Sequence, residues 1–153
     1  MTIKHVLQTK GSEVATISPD ATLTELIDKL AEYRIGAMVV STDGKTIAGI
    51  VSERDVVRAL RSDGLPALRE SRLIHLDRVR VRDIMTAEVT TCDPDTDIEQ
   101  VMATITAGRI RHVPVVVDGE MVGIVSIGDI VKARISHLEW ERTALVEYVT
   151  TGR

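Results

Sequence analysis

This sequence has no phenylalanine, and Tyr33, Trp140 and Tyr148 are its only aromatic residues. Stacking platforms for single-stranded nucleic acid and aromatic cages for cations therefore lack their material. Cysteine occurs once, at Cys92, so no internal disulfide can form. No stretch approaches the roughly 18 uninterrupted apolar residues of a membrane span. Met1-Thr2-Ile3-Lys4-His5 leads into polar residues rather than the apolar centre of a signal peptide. Positive charge is not in surplus either. With 19 basic against 23 acidic residues the net charge is −4, which speaks against a broad phosphate-neutralising surface. These absences predict a cytoplasmic protein with no nucleic-acid or membrane partner. What is present is an ordinary core-forming composition, 44% hydrophobic and 27% charged over 153 residues.

The chain is written twice. At an offset of 75, Glu13, Val14, Thr16, Pro19, Asp20, Arg34 and Ile35 fall on Glu88, Val89, Thr91, Pro94, Asp95, Arg109 and Ile110. One residue is then lost, and at an offset of 74 Gly49-Ile50-Val51-Ser52 and Asp55 fall on Gly123-Ile124-Val125-Ser126 and Asp129. Each copy reads as strand, helix, strand, turn, strand, helix, an α+β pattern of two βαββα units. Val14 to Ile17 is short, β-branched and closed by Pro19, which suits a strand. Thr22 and Glu25 have capping-box spacing ahead of a stripe of Leu23, Leu26, Ile27 and Leu30, and Asp97 and Gln100 repeat the logic ahead of Ile98, Val101, Met102 and Ile105. The apolar runs Ala37 to Val40 and Val113 to Val117 each precede an Asp-Gly pair, Asp43-Gly44 or Asp118-Gly119, with returning strands at Ile47 to Val51 and Met121 to Val125. Both read as hairpins. Pro114 cannot donate a ladder hydrogen bond, so it is expected at a strand start or on an edge. Ser52 and Ser126 open helices carrying Val56, Val57, Leu60 and Ile130, Val131, Ile135.

These signals divide the chain into a first repeat (1–66), a linker (67–80), a second repeat (81–135) and a C-terminal amphipathic helix (136–153). Arg69, Arg72, Arg78 and Arg80 read as a solvated linker or helix face. In the last helix Leu138, Leu145 and Val149 continue a narrow apolar seam from Ile135, which either packs back on its own domain or pairs with another chain. His5, His75 and His137 lack ligand spacing, so no metal site is expected. Cys92 reads as a structural thiol. No nucleophile elbow, phosphate loop or dinucleotide fingerprint appears, and no base is poised by a third group, so no catalytic residue is assigned.

The Gly-x-x-Ser-x-x-Asp element, Gly49 to Asp55 and Gly123 to Asp129, admits two readings. Ser at the N-cap with Asp three residues on caps a helix. A helix N-terminus also offers free N–H groups to an anion, and an ionised Asp there accepts from two ribose hydroxyls at once.

Together with Val81-Arg82-Asp83-Ile84-Met85-Thr86, Ser18-Pro19-Asp20-Ala21-Thr22, Asp93-Pro94-Asp95-Thr96-Asp97 and Arg111-His112-Val113-Pro114-Val115-Val116, these elements make the chain resemble a tandem pair of cystathionine β-synthase (CBS) domains. The resemblance implies two repeats packed about a pseudo-twofold axis, a homodimer, and adenosine nucleotides bound in the clefts between repeats: AMP, ADP or ATP, with NAD(H) or S-adenosylmethionine as further ligands. It places ribose on Asp55 and Asp129 with Ser52 and Ser126 beside them. Thr16, Ile17, Thr91 and Cys92 meet the base mainly through backbone, and Arg111 and His112, just before Val113 and Pro114, lie where phosphate is held. His112 reads equally as a core or hairpin residue. In the first copy Gly36 and Ala37 take the place of that basic pair; Arg54 compensates, whereas its counterpart is Gly128. The implied sites are unequal, and in the absence of aromatics the base is expected to be gripped by aliphatic side chains and strand backbone. The implied role is a ligand-sensing module; the alternative is a homodimeric interaction module with empty or vestigial clefts.

Overall fold

The computed structural model describes residues 1–61 and 76–152. The helix-breaking run 62–66, most of the expected linker with Arg69 and Arg72, and His75 lie outside them. The first half comprises α1 (Ile3–Lys10), β1 (Thr16–Ile17), α2 (Leu23–Tyr33), β2 (Ala37–Val40), β3 (Gly49–Ser52) and α3 (Glu53–Leu60). After a 3-10 turn at Leu76–Arg78 come α4 (Val81–Ile84), α5 (Ile98–Gly108), β4 (His112–Val117), β5 (Glu120–Ser126) and α6 (Ile127–Thr151).

Local chemistry explains most of these elements. Thr22 accepts the Glu25 N–H at 3.1 Å while the Glu25 carboxylate accepts the Thr22 N–H at 2.7 Å, closing the expected capping box at α2. At α5 the box gives way to a single cap, Asp97 accepting the Glu99 N–H at 2.9 Å without Gln100. Parallel β1–β2 and antiparallel β2–β3 pairing makes a three-stranded sheet. In the second half only β4 and β5 form a sheet, and the first strand shrinks to a single parallel bridge from Cys92 to Val115. The cause is Pro114. It occupies the third position of β4, the place of Val39 in β2, and is paired to Ile124. Its missing N–H falls on the side facing Cys92, whose own N–H still reaches the Pro114 carbonyl at 3.1 Å.

The two Asp-Gly pairs behave differently. Asp118 and Gly119, at φ 51° and 80°, form the expected two-residue turn between β4 and β5. Asp43-Gly44 also lies in a hairpin, β2 with β3, but in a longer connection. The Asp43 carboxylate accepts the Thr46 and Lys45 N–H groups at 2.7 and 2.8 Å and the hydroxyls of Thr46 and Ser41, curling the chain into a longer loop, so β3 starts at Gly49 rather than Ile47. Those backbone bonds hold the Asp43 carboxyl well below its ordinary range.

The halves exchange their leading segments. Val79 and Val81, where the second repeat begins, are buried with Ile17, Leu23, Leu26, Met38 and Val51 of the first. Ile3 and Val6 of α1, a helix that the strand-first reading of each repeat omits, are buried with Ile98, Val101, Val113, Val125 and Ile130 of the second. The backbone anchors match: Ile3 N–H donates to the Thr96 carbonyl and Val81 N–H to the Ala21 carbonyl, both at 2.9 Å. Isolated bridges Thr2–Asp97 and Thr22–Arg80 repeat the relation. The two repeats are thus tied crosswise in pseudo-twofold fashion. Finally, α6 is one helix of 25 residues, so the boundary expected at 135/136 falls inside it.

Candidate functional site

A cleft of about 920 Å³ opens between the halves. Residues 14–16 and 33–37 of the first repeat form one wall, His112, Ile124, Ser126 and Asp129 of the second form the other, and Lys10 and Glu13 complete it. Crosswise packing is what brings Asp129 opposite Thr16 and Ala37 rather than opposite its own repeat's Thr91.

Both Ser-x-x-Asp elements are capping boxes at helix starts, as their spacing predicts. Asp129 Oδ2 accepts the Ser126 N–H at 2.8 Å, and Ser126 Oγ accepts the Asp129 N–H at 3.2 Å. Asp55 Oδ2 accepts the Ser52 N–H at 2.8 Å and the Ser52 hydroxyl at 3.0 Å. Each box uses one carboxylate oxygen, so capping and ligand binding are compatible. At Asp129 a further partner enters: Lys10 Nζ lies 2.6 Å from Oδ2 and also donates to the Ile124 carbonyl at 2.8 Å. Burial pushes the Asp129 carboxyl up, but the Lys10 ammonium and the Ser126 bonds outweigh it and hold it below the usual carboxylate value.

His112 begins β4 and stands beside Gly36; a Cβ built on Gly36 would sit 3.7 Å from its ring and 2.8 Å from the Glu53 carboxylate. Burial above all, then the Lys10 and Arg111 charges, pushes the imidazole below its usual value against the pull of Asp129 and Glu53, leaving it neutral at pH 7.

The structure therefore gathers Thr16, Ala37, His112, Ser126 and Asp129 into one cleft. Thr91, Cys92 and Val113 line a separate cavity of about 230 Å³ with Gln100 and Thr104. Gly128 lies in a shallow depression with Val131 and Ile135. Ile17, Val113 and Pro114 are buried within their strands. Arg111 is exposed, its carbonyl accepting the Ile127 N–H at 2.8 Å. Arg54 reaches the Arg109 carbonyl at 3.4 Å. Burial first, and Asp93 second, push the half-buried Cys92 thiol up to about 11, so it carries almost no thiolate at neutral pH. Among the described residues no three of His, Cys, Asp and Glu gather as a metal site, and no helix is long and apolar enough to cross a membrane.

Sequence reasoning missed Lys10, Glu13, Tyr33 and Arg34. The signal for Lys10 was present: Ile3, Val6 and Leu7 fall at helical spacing between Thr2 and Gly11. Tyr33 brings an aromatic ring to a site expected to be purely aliphatic, 51% exposed at the end of α2.

A family model for the CBS domain matches residues 3–62 and 81–136, and the chain belongs to that family. It is 33% identical over 159 residues to the CBS domain-containing protein CBSX3, mitochondrial, of Arabidopsis thaliana, covering 99% of this chain and 73% of that protein. The crystal structure of the CBS-domain containing protein ATU1752 from Agrobacterium tumefaciens superposes with a TM-score of 0.77 at 36% identity, covering 88% of this chain and 99% of the other. The CBS domain pair of protein MJ0100, crystallised with 5′-methylthioadenosine and S-adenosyl-L-methionine, shares the fold at a TM-score of 0.71 and 22% identity, over 87% of this chain and 98% of that one.

Proposed function

We propose that this chain is a regulatory rather than catalytic module. It binds adenosine nucleotides, AMP, ADP or ATP with NAD(H) or S-adenosylmethionine as further candidates, and reports their presence to a partner protein. The observation that carries the reading is the cleft whose walls come from opposite repeats and whose floor is a helix N-terminus bearing Asp129. Asp129 supplies a carboxylate oxygen for ribose hydroxyls, residues 14–16 leading into β1 supply backbone edges for a base, and Lys10, Arg34 and His112 are positioned for phosphate. A ligand held by both repeats binds with an affinity that depends on their relative placement, which makes it able to shift that placement. That a CBS domain pair of like fold holds two adenosine-containing ligands supports the same class of ligand here.

A second reading, a homodimeric interaction module with unused clefts, is favoured by a different observation. Val57 on α3 and its repeat counterpart Val131 on α6 are 60% and 42% exposed, with Leu60 and Ile135 beside them. Thermal unfolding separates the two. A nucleotide at 100 times its dissociation constant adds roughly 2.7 kcal/mol, a rise of roughly 5–10 °C in Tm for a chain of this size. The rise should disappear in Asp129→Ala if that cleft is the one filled, and Asp55→Ala reads the first-repeat site in the same way. No rise with AMP, ATP, NADH or S-adenosylmethionine at millimolar levels leaves the interaction module.

A further inference from the structure

We propose that Lys10 makes the Asp129 cleft select a phosphorylated adenosine ligand over an uncharged one, an inference that rests on the adenosine reading above. Lys10 owes its position to an asymmetry between the repeats. Ile3 and Val81 make equivalent anchors and Glu13 aligns with Glu88, yet the first leading segment is three residues longer. In the second, the chain after α4 stays extended, and Thr86 exchanges two backbone hydrogen bonds of 2.9 Å with Ile50. In the first, the extra residues lengthen α1 to eight, and the Lys10 ammonium takes the carbonyl of Ile124, the counterpart of Ile50.

The ammonium is therefore fixed rather than free. Two of its three N–H groups are used, on Ile124 and on Asp129 Oδ2, and among the described residues nothing accepts the third. Asp129 Oδ1 likewise accepts nothing from the described residues, so a ribose hydroxyl can be held there without displacing the lysine. One carboxylate thus serves sugar on one oxygen and orients a cation with the other. Without that cation, Asp129, Glu13 and Glu53 would face Arg34 and a neutral His112 around the cleft. An uncharged nucleoside is nearly indifferent to the change; a phosphate dianion is not. Asp55, by contrast, has no lysine or arginine paired to it among the described residues, its occupied oxygen being satisfied by Ser52 alone.

The test is calorimetric titration of the full chain with AMP and with adenosine, in an Asp55→Ala background so that only the Asp129 cleft is read. AMP should bind more tightly than adenosine. Lys10→Met should weaken AMP by about tenfold or more while adenosine stays within about twofold. Lys10→Gln, which keeps a donor for Ile124 without the charge, should show the same loss should Lys10→Met fold poorly. A merely structural lysine would weaken both ligands together in Lys10→Met and leave Lys10→Gln near the parent; either result overturns the proposal. Failure of both AMP and adenosine to bind at millimolar levels overturns the proposal, and failure of ATP, NADH and S-adenosylmethionine as well overturns the adenosine reading itself; an unchanged AMP-to-adenosine ratio with both ligands bound removes Lys10 alone.

Discussion

His112 is held in a setting that penalises its proton. Half-buried at the start of β4, with the Lys10 ammonium and Arg111 near, its folded state gives up a proton more readily than the unfolded chain, whose imidazole titrates near 6.5. The sign follows from linkage. Between the unfolded value and the lower folded one the unfolded chain binds more protons, so stability falls as pH drops through 6.5 and levels off below the folded value. Asp129 acts lower on the scale: its carboxylate is favoured on folding, so that contribution is present above 3.8 and is lost as pH falls beneath it. Urea midpoints at pH 7.5 and 5.0 should therefore fall for the parent chain and fall less for His112→Asn, because Asp129 is ionised at both. Parallel losses in the two proteins would show that His112 does not titrate as its surroundings require.

At the scale of elements, the first glycine of each Gly-Ile-Val-Ser run explains how the leading segments reach the sheets. A Cβ on Gly49 would lie 2.8 Å from both Met85 Sδ and the Thr86 carbonyl oxygen; one on Gly123 would lie 2.8 Å from a Leu7 methyl. The first clash includes backbone that is pinned to Ile50, while the second involves the end of a flexible side chain. Gly49→Ala should cost about 1–3 kcal/mol in urea unfolding and Gly123→Ala at most about 1. Equal costs would mean that the Thr86 bridge yields as easily as Leu7 does. The sequence signalled both glycines through their repetition but not their reason, because the segments they admit come from the other repeat. Capping chemistry was legible at Thr22, Ser52 and Ser126, where partners are three residues apart. The hairpin around Asp43-Gly44 was legible but its loop length was not, because the Asp43 carboxylate captures the backbone of Lys45 and Thr46. Pro114 was legible as a missing donor, but the strand it shortens was not.

For the whole molecule, doubling of the sequence made the two βαββα units readable, yet the site depends on a crosswise arrangement that no local pattern encodes. Thr16 and Asp129 meet only because Ile3 and Val6 are buried in the far core and Val79 and Val81 in the near one. The sequence reading set Ala37 in the first copy's site and His112 in the second's, whereas exchange brings both into one cleft with Thr16, Lys10 and Asp129. The C-terminal helix raises the remaining question of scale. Ile130 is the last buried residue of α6, and from Ser136 to Thr151 the helix buries none, while Trp140, Leu145, Tyr148 and Val149 are 65–78% exposed. A helical stretch of that length is marginal in water on its own. Val131, Ile135, Leu138, Leu145 and Val149 follow heptad steps interrupted at Arg142, a seam suited to a second copy of the same helix. It runs on from the exposed Val131 and Ile135, so dimerisation through α6 would cover both the seam and the base of the helix at once. The full chain is expected to be a dimer by light scattering at micromolar concentration. A chain ending at Ile135 should dissociate at tenfold or more higher concentration, roughly 1.4 kcal/mol or more of lost association, while keeping its urea midpoint when measured as monomer. Since residues 136–151 contribute nothing to either core, a collapse of the truncated fold would place their role inside the protomer, and a full-length monomer would remove the seam as an interface.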